Sequence, residues 1–220
     1  MTAIERQVRQ IMTSNRAHDI VALVQRELEL EQQRRLAFYD TRELYEDKRE
    51  FIHGEIVVQS PAKLWHLGAT RRLLHLLSIY VMKKGLGRVE SEKAMIRLTR
   101  NDFEPDICFF SKEKADNFRP DQSLFPAPDM VVEVLSNKTA KRDRGVKYED
   151  YALHGVREYW IIDAAREQVE QHLLDGDTYQ LAFDGKAGQI ECQAIENLTF
   201  PVSAIFDDAA NLAAIQELLK

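Results

Sequence analysis

The sequence predicts an α/β protein in which a mixed β-sheet is flanked by helices, with a helical extension at the N-terminus. Residues 130–163 follow a strand, helix and strand pattern, which is typical of a crossover between two strands that can be parallel. Most of the other predicted strands are joined by short turns, as in antiparallel hairpins. Residues 1–48 contain no Gly or Pro and carry apolar residues at helical spacing.

The predicted domain organisation has two parts, a helical extension at 1–48 and a folded domain at 49–220. The extension is predicted to form two helices with a break near residues 14–15, from the spacing of Ile4, Val8 and Ile11 and then of Ile20, Val24 and Leu28. The second helix is amphipathic. We expect it to pack on the core of the same chain, with packing on another subunit as the alternative.

The folded domain is predicted to begin with a strand or hairpin at about 50–59. Ser60 and Pro61 are then expected to be the N-cap and first residue of a helix that ends at Gly85. The elements predicted after this helix are strands at 87–91, 94–99 and 105–110, a long polar loop at 111–127, a strand at 130–135, a helix at 141–153, a strand at 157–163, a hairpin turning at 175–177, and a helix from 204 to about 219.

The composition excludes several classes of protein. No apolar run approaches the roughly 18 residues of a membrane span, and the charged N-terminus is unlike a signal peptide. Cys108 and Cys192 are isolated, which argues against a structural zinc site. We therefore expect a cytoplasmic protein that does not associate with membranes. The net charge of −6 argues against non-specific coating of nucleic acid.

Two carboxylates stand in apolar strands and are the first candidates for a functional site. Glu133 lies at the centre of the strand 130–135, where an ionised carboxylate buried alone would cost several kcal/mol. Asp106 opens the strand that contains Cys108 and Phe110. If these strands are neighbours, the two carboxylates converge and repel each other. Mg²⁺ would offset this repulsion, since it prefers oxygen ligands and is suited to phosphate-ester hydrolysis.

A cationic group for such a site is predicted on the helix that follows Glu133. Arg144, Lys147 and Tyr151 share a face of this helix, and the helix must return to the sheet, so Lys147 can reach the carboxylates. The neighbouring Arg142 and Arg144 are either solvated or contact phosphates, which would position a duplex without reading its sequence.

Several ordered motifs resemble a known family. They are "REFIHGEIVVQSP" (49–61), "PD" (105–106), "VVEVLS" (131–136), "KTAKRDRGVKYEDY" (138–151), "GVREYWIID" (155–163) and "FPVSAIFDD" (200–208). Together they resemble the Uma-type endonucleases, a restriction-endonuclease-like family of the PD-(D/E)XK nuclease superfamily, over residues 49–208. The resemblance implies that fold, with DNA as substrate, Mg²⁺ as cofactor (Mn²⁺ being able to substitute) and a homodimer that cuts both strands.

The resemblance also implies roles for single residues. Asp106 and Glu133 would bind the metal, with the Val134 carbonyl as a further ligand. Leu135 stands at the superfamily's usual lysine position, and the lysine is implied to have moved to Lys147 on the next helix. The acidic Glu50 would assist the site.

His66 also matches the family's opening pattern. It lies in the first helix of the domain, near the basic and aromatic residues Lys63, Trp65, Arg71 and Arg72. His66 either contacts substrate or is a surface or packing residue of the helix.

Three functions remain open from the sequence. The first is a Mg²⁺-dependent DNA endonuclease that uses Asp106, Glu133 and Lys147. The second is a catalytically inactive nuclease fold that binds DNA or protein, which Leu135 and the acidic net charge favour. The third is an oligomeric scaffold whose role depends on residues 1–48.

Overall fold

The computed structural model describes residues 2–42, 47–136 and 138–220. Its helices are α1 (Ala3–Met12), α2 (Ala17–Arg42), α3 (Leu64–Lys84), α4 (Lys112–Ala115), α5 (Ala140–Asp143), α6 (Val146–Leu153), α7 (Ser203–Phe206) and α8 (Asp208–Leu218). Its strands are β1 (Arg49–Ile52), β2 (Glu55–Val58), β3 (Gly87–Ser91), β4 (Met95–Arg97), β5 (Asp102–Phe103), β6 (Ile107–Ser111), β7 (Leu124–Phe125), β8 (Met130–Val134), β9 (Glu158–Asp163), β10 (Gln168–Asp175), β11 (Thr178–Gly185), β12 (Gln189–Glu191) and β13 (Thr199–Pro201).

The main sheet has the strand order β11-β10-β9-β8-β6-β3. Strands β8 and β9 are parallel and are connected through α5 and α6, which confirms the predicted crossover. The other neighbours in this sheet pair antiparallel. A second sheet has the order β2-β1-β5-β4-β7. The predicted fold class, a mixed sheet flanked by helices, is therefore confirmed.

Alternate side chains of the main sheet enter two different cores. On one face, Val132 of β8 packs in a cluster that also includes residues of α3, α7 and α8. On the other face, Val131 packs with Cys108, Tyr151 and Tyr159. The alternation follows from the period of two in a strand that is buried on both sides. Glu133 has the same parity as Val131 and belongs to the second face.

The two N-terminal helices pack very differently. Helix α1 has no buried residue, whereas the second half of α2 buries Glu31, Arg35 and Phe38 against the domain. The Arg35 guanidinium donates to both oxygens of Asp102 at 2.6 and 2.7 Å. The break between the helices lies where it was predicted, and α2 packs on the core of its own chain. No helix among the described residues is both long and apolar enough to cross a membrane.

Helix α3 begins later than predicted. Leu64 is its first residue, and Lys63 holds the N-cap position with an extended backbone (φ −82°, ψ 159°). Ser60 does not cap the helix, since residues 60–63 are not helical, and its hydroxyl accepts a hydrogen bond from the Lys138 ammonium at 2.9 Å. The helix ends at Gly85, whose left-handed backbone (φ 65°, ψ 33°) agrees with the prediction.

Three other segments differ from their predictions. The predicted polar loop at 111–127 contains α4 and β7, and the rings of Phe118 and Phe125 pack on Phe110. The predicted helix at 141–153 is divided into α5 and α6 at Gly145, where a Cβ would lie 2.9 Å from the Lys141 carbonyl oxygen. The predicted C-terminal helix is divided into α7 and α8, because the Asp207 side chain caps α8.

Candidate active site

The register of β6 and β8 brings the two predicted carboxylates to the same end of the sheet. The strands pair directly, with Ile107 opposite Val132 and Cys108 opposite Val131. Immediately beyond these pairs, the Val134 N–H donates to Asp106 Oδ2 at 2.8 Å. Asp106 therefore sits beside the segment that carries Glu133. Both side chains are almost completely buried.

Lys147 lies in the first turn of α6, where the ammonium contacts two carboxylates. Its Nζ is 2.8 Å from Glu133 Oε1 and 2.7 Å from Glu50 Oε1. Glu50 comes from β1, and its Oε1 also accepts from the Glu104 N–H at 3.1 Å. Asp143 lies one turn before Lys147, with Oδ1 at 3.8 Å from Nζ. Glu133 lies on the main sheet and Glu50 on the second sheet, so the Lys147 ammonium connects the two sheets at the site.

Burial and neighbouring charges of opposite sign shift the pKa values of Glu133 and Lys147 in opposite directions. Burial raises the pKa of the Glu133 carboxyl well above its ordinary value, more than the Lys147 ammonium lowers it. Burial also tends to lower the pKa of Lys147, but Glu133, Glu50 and Asp143 together raise it well above its ordinary value. Lys147 is therefore an ammonium at neutral pH, while Glu133 retains a proton more readily than an exposed glutamate.

Asp106 has a separate set of partners. Lys48 Nζ lies 2.8 Å from Asp106 Oδ1, and His66 Nε2 lies 3.4 Å from Oδ2. Burial alone would raise the pKa of Asp106, but Lys48 and His66 reverse the shift and hold it below its ordinary value. Asp106 is consequently ionised across the neutral range. The same ion pair raises the pKa of Lys48, against the effect of burial.

The charges of the cluster favour a cation. In the described part of the chain, the carboxylates in contact with Lys48 and Lys147 are those of Asp106, Glu133, Glu50 and Asp143. Four carboxylates against two ammoniums leave two negative charges unmatched when all are ionised. Glu50 Oε2 is also buried without a hydrogen-bond partner among the residues described. A divalent cation would offset the unmatched negative charge and would give Glu50 Oε2 a partner.

The donor set fits a hard cation such as Mg²⁺ better than a softer metal. The atoms that face the cluster are carboxylate oxygens, and Mg²⁺ commonly binds one or two carboxylates and completes its shell with water. Over residues 2–42, 47–136 and 138–220, no group of three or more His, Cys, Asp or Glu side chains already has the geometry of a metal site. A site built from Asp106 and Glu133 would need only two such side chains.

The structure brings most of the predicted site residues together, with the two arginines as the exception. Asp106, Glu133, Val134, Lys147, Glu50 and His66 are linked by the contacts described above. Arg144 instead pairs with Glu170 on β10, with Nη2 at 2.6 Å from Oε1. Arg142 is half-buried, and its Nε has no hydrogen-bond partner among the described residues.

Sequence reasoning did not identify Lys48 or Asp143 as members of the cluster. Lys48 directly precedes β1, and its partner Asp106 is 58 residues away in sequence. Asp143 is one helical turn from Lys147, so i, i+4 spacing could have placed it on the same face. No periodicity could have identified Lys48, because it lies outside the regular elements.

Comparisons with known proteins agree with this architecture. A family model named Uma2 and described as "Putative restriction endonuclease" matches residues 30–203. An uncharacterized protein from Synechocystis sp. (strain ATCC 27184 / PCC 6803 / Kazusa) is 28% identical over 151 residues, which are 66% of this chain and 84% of that protein. A crystal structure from Anabaena variabilis ATCC 29413, described as "a putative nuclease belonging to DUF820", covers 74% of this chain and 91% of its own, with a TM-score of 0.64 and 17% identity.

These comparisons bear on the fold and on its boundaries. At 17% identity, the likeness to the Anabaena structure shows a shared fold. The family match begins at residue 30, inside α2, and so includes Glu31, Arg35 and Phe38, which are buried against the domain. The second half of α2 therefore lies within the matched region, and α1 lies outside it.

Proposed function

Because the chain belongs to the Uma2 family of restriction-endonuclease-like proteins, we propose that it is a Mg²⁺-dependent endonuclease that hydrolyses phosphodiester bonds in DNA. The family itself indicates a nuclease-type hydrolase. The metal, the DNA substrate and the residue roles below are our proposal, as are a cytoplasmic location and a homodimer in which each protomer cuts one strand.

One observation carries the proposal. The Lys147 ammonium lies 2.8 Å from Glu133 and 2.7 Å from Glu50, at the sheet edge where Asp106 enters from the neighbouring strand. A lysine beside two converging carboxylates is the arrangement that a hydrolase of phosphate esters needs, since it combines a cation site with a fixed positive charge. The lysine two residues after the glutamate is replaced by Leu135, and Lys147 supplies the ammonium from the next helix.

We propose the following roles for the residues of the site. Asp106 and Glu133 would hold the Mg²⁺, with the Val134 carbonyl as a further ligand. The bound ion supplies Lewis-acid polarisation of the phosphate and lowers the pKa of a water. Lys147 orients that water and stabilises charge developing on the phosphate, and Glu50 fixes the position of Lys147.

Residues outside the cluster would contact the substrate. His66 already reaches Asp106 from α3, so it lies where the scissile phosphate would approach. Arg142 would contact a neighbouring phosphate through the exposed part of its half-buried side chain. Arg144 would take the same role only by leaving Glu170, and this makes it the weaker of the two candidates.

The test is nicking of supercoiled DNA with Mg²⁺ or Mn²⁺ by the wild type, Asp106→Asn and Glu133→Gln. Both substitutions preserve side-chain shape and remove a ligand charge, so we expect cleavage to fall by at least about a hundredfold. Asp208→Asn is the matched control, because Asp208 is an exposed carboxylate paired with Arg71 and Arg72. Its activity should equal that of the wild type.

Two results would contradict the proposal. Cleavage that survives unchanged in both site variants would exclude this mechanism. DNA binding without cleavage under either ion would instead support the inactive, DNA-binding version of the fold. A single-stranded RNA substrate run in parallel tests the preference for DNA.

A further inference from the structure

Lys48 occupies one side of the carboxylate that the proposed function assigns to the metal. Its Nζ lies 2.8 Å from Asp106 Oδ1, and only 16% of its side chain is exposed. The backbone around it is fixed, because the Lys48 carbonyl accepts from the Gln59 N–H at 2.9 Å at the end of the β1–β2 hairpin. The position of the ammonium is therefore set by the fold of the hairpin as well as by the ion pair.

The other oxygen of Asp106 is also engaged. Oδ2 accepts from the Val134 N–H at 2.8 Å and lies 3.4 Å from His66 Nε2. The Val134 contact is made by the backbone of a buried strand and cannot move aside. With the Val134 N–H and His66 both at Oδ2, Oδ1 is the oxygen that a cation binds more readily, and there it meets the ammonium of Lys48. Two cations that share one carboxylate oxygen in a partly buried site repel each other strongly.

Lys147 does not present the same obstacle. Its side chain is 1% exposed, and it is held between Glu133 and Glu50 rather than on Asp106. It can keep its Glu50 contact while Glu133 binds a cation through the other oxygen. Of the two lysines, Lys48 is the more exposed and is attached to the oxygen that the ion needs.

We propose that Lys48 is a built-in competitor for the metal. In the metal-free protein, the Lys48 ammonium occupies the place beside Asp106 Oδ1 where the metal would bind. Binding of a divalent cation there releases the ammonium. The inference rests on the proposed function, because it takes Asp106 to be a metal ligand. The exchange raises the charge of the site by one unit, because an ammonium leaves as a divalent ion enters, and this offsets part of the unmatched negative charge of the carboxylates.

The first experiment measures Mn²⁺ binding by calorimetry at pH 8, without DNA, for the wild type, Lys48→Met and Lys138→Met. Lys138 is the matched control, since it is a lysine whose ammonium donates to the Ser60 hydroxyl. We expect Lys48→Met to bind Mn²⁺ about tenfold more tightly than the wild type, one decade being the order of a partly buried ion pair. Lys138→Met should change the affinity less than twofold.

The second experiment detects the released lysine directly. The wild type is treated with a limiting amine-reactive reagent, with and without saturating Mn²⁺, and modification of Lys48 is quantified by mass spectrometry. We expect Lys48 to react several-fold faster with Mn²⁺ bound, while Lys138 reacts equally in both states. This measurement uses the unaltered chain, so it holds even if Lys48→Met folds poorly.

The outcomes separate the inference from the proposed function. Mn²⁺ binding that is equal in the wild type and Lys48→Met, with no change in Lys48 reactivity, would overturn the inference and leave the metal site intact. Weaker binding by Lys48→Met would also overturn it, since it would make Lys48 a supporting residue. Absence of Mn²⁺ binding in every variant would overturn both proposals together.

Discussion

Lys147 is an ammonium with almost no exposure to solvent, and its burial is tolerated because Glu133 and Glu50 accept from it at 2.8 and 2.7 Å. The free energy lost by removing it from water is offset by these ion pairs only while both partners remain. Burial, with a smaller contribution from Asp143 and Asp106, raises the pKa of Glu133, whereas Glu133, Glu50 and Asp143 raise that of Lys147 against the effect of burial. The site therefore holds its charges in fixed positions before any ligand binds.

A different residue, His172, should affect how stability depends on pH. Burial lowers the pKa of His172 below its ordinary value, and Glu170 offsets this only in part. As the pH falls below about 6.5, the unfolded chain takes up a proton that the folded protein does not bind, so the free energy of unfolding falls until the folded-state pKa is reached. We expect His172→Gln to lose less stability than the wild type between pH 7 and pH 5.

This prediction is checked by urea denaturation at both pH values. His75→Gln is the control, because it makes the same substitution at an exposed position of α3. A His172→Gln variant whose stability falls as steeply as that of the wild type would show that His172 does not contribute this dependence.

At the scale of elements, the attachment of α2 to the second sheet depends on one buried arginine. Arg35 donates to both oxygens of Asp102 and to the backbone carbonyls of Leu98, Thr99 and Asn101. Tyr39, one turn later, donates its hydroxyl to the same carboxylate at 2.7 Å. The 98–102 turn is thereby held on the helix, and β5 pairs with β1, the strand that carries Glu50.

Arg35→Met should therefore destabilise the protein strongly. It leaves the Asp102 carboxylate buried without its guanidinium, a change that typically costs about 3–5 kcal/mol of unfolding free energy. Arg34→Met is the matched control: Arg34 is exposed and donates to the Gly54 carbonyl at 3.1 Å, so we expect a change within about 0.5 kcal/mol. Chemical denaturation of both variants measures the difference, and equal stabilities would contradict the role assigned to Arg35.

Sequence patterns indicated three residues of the proposed site. Glu133 and Lys147 lie on regular elements, and Asp106 lies just before β6 and was indicated by the alternation of that strand. Lys48 was missed because its partner Asp106 is 58 residues away in sequence.

The start of α3 was predicted wrongly. Residues 61–63 are not helical, and the hydroxyl of Ser60 accepts from a lysine 78 residues away instead of from the first turn of the helix.

At the scale of the whole molecule, we expect the boundary of the stable unit to lie within α2 rather than after it. The predicted division placed residues 1–48 in an extension, yet Arg35 and Phe38 are buried in the folded domain and the family match begins at residue 30. The pattern that predicted packing of this helix was wrong in its residues, because Val24 and Leu28 are exposed and the helix is buried further along. Where burial starts depends on the surface that the helix meets.

Two truncations test this boundary. A chain that begins at residue 17 loses only α1, which has no buried residue, so its melting temperature should remain within about 2 °C of the full-length value. A chain that begins at residue 49 also loses Arg35 and Phe38, and exposes the face of Phe51 and Asp102. We expect it to lose cooperative unfolding, as measured by calorimetry. A cooperative transition at the full-length temperature would restore the predicted boundary at residue 49.

The alternation along β8 has a consequence for how the protein can change over generations. Val131 and Val132 are adjacent in sequence, yet Val131 packs beside Tyr151 of α6, the helix that carries Lys147, and Val132 packs among residues of α3, α7 and α8. Substitutions that repack the cluster around Val132 can therefore alter melting behaviour without contact with the proposed site, whereas His66, also on α3, contacts Asp106. Stability and the proposed chemistry are thus separated along β8, one residue apart, but not along α3.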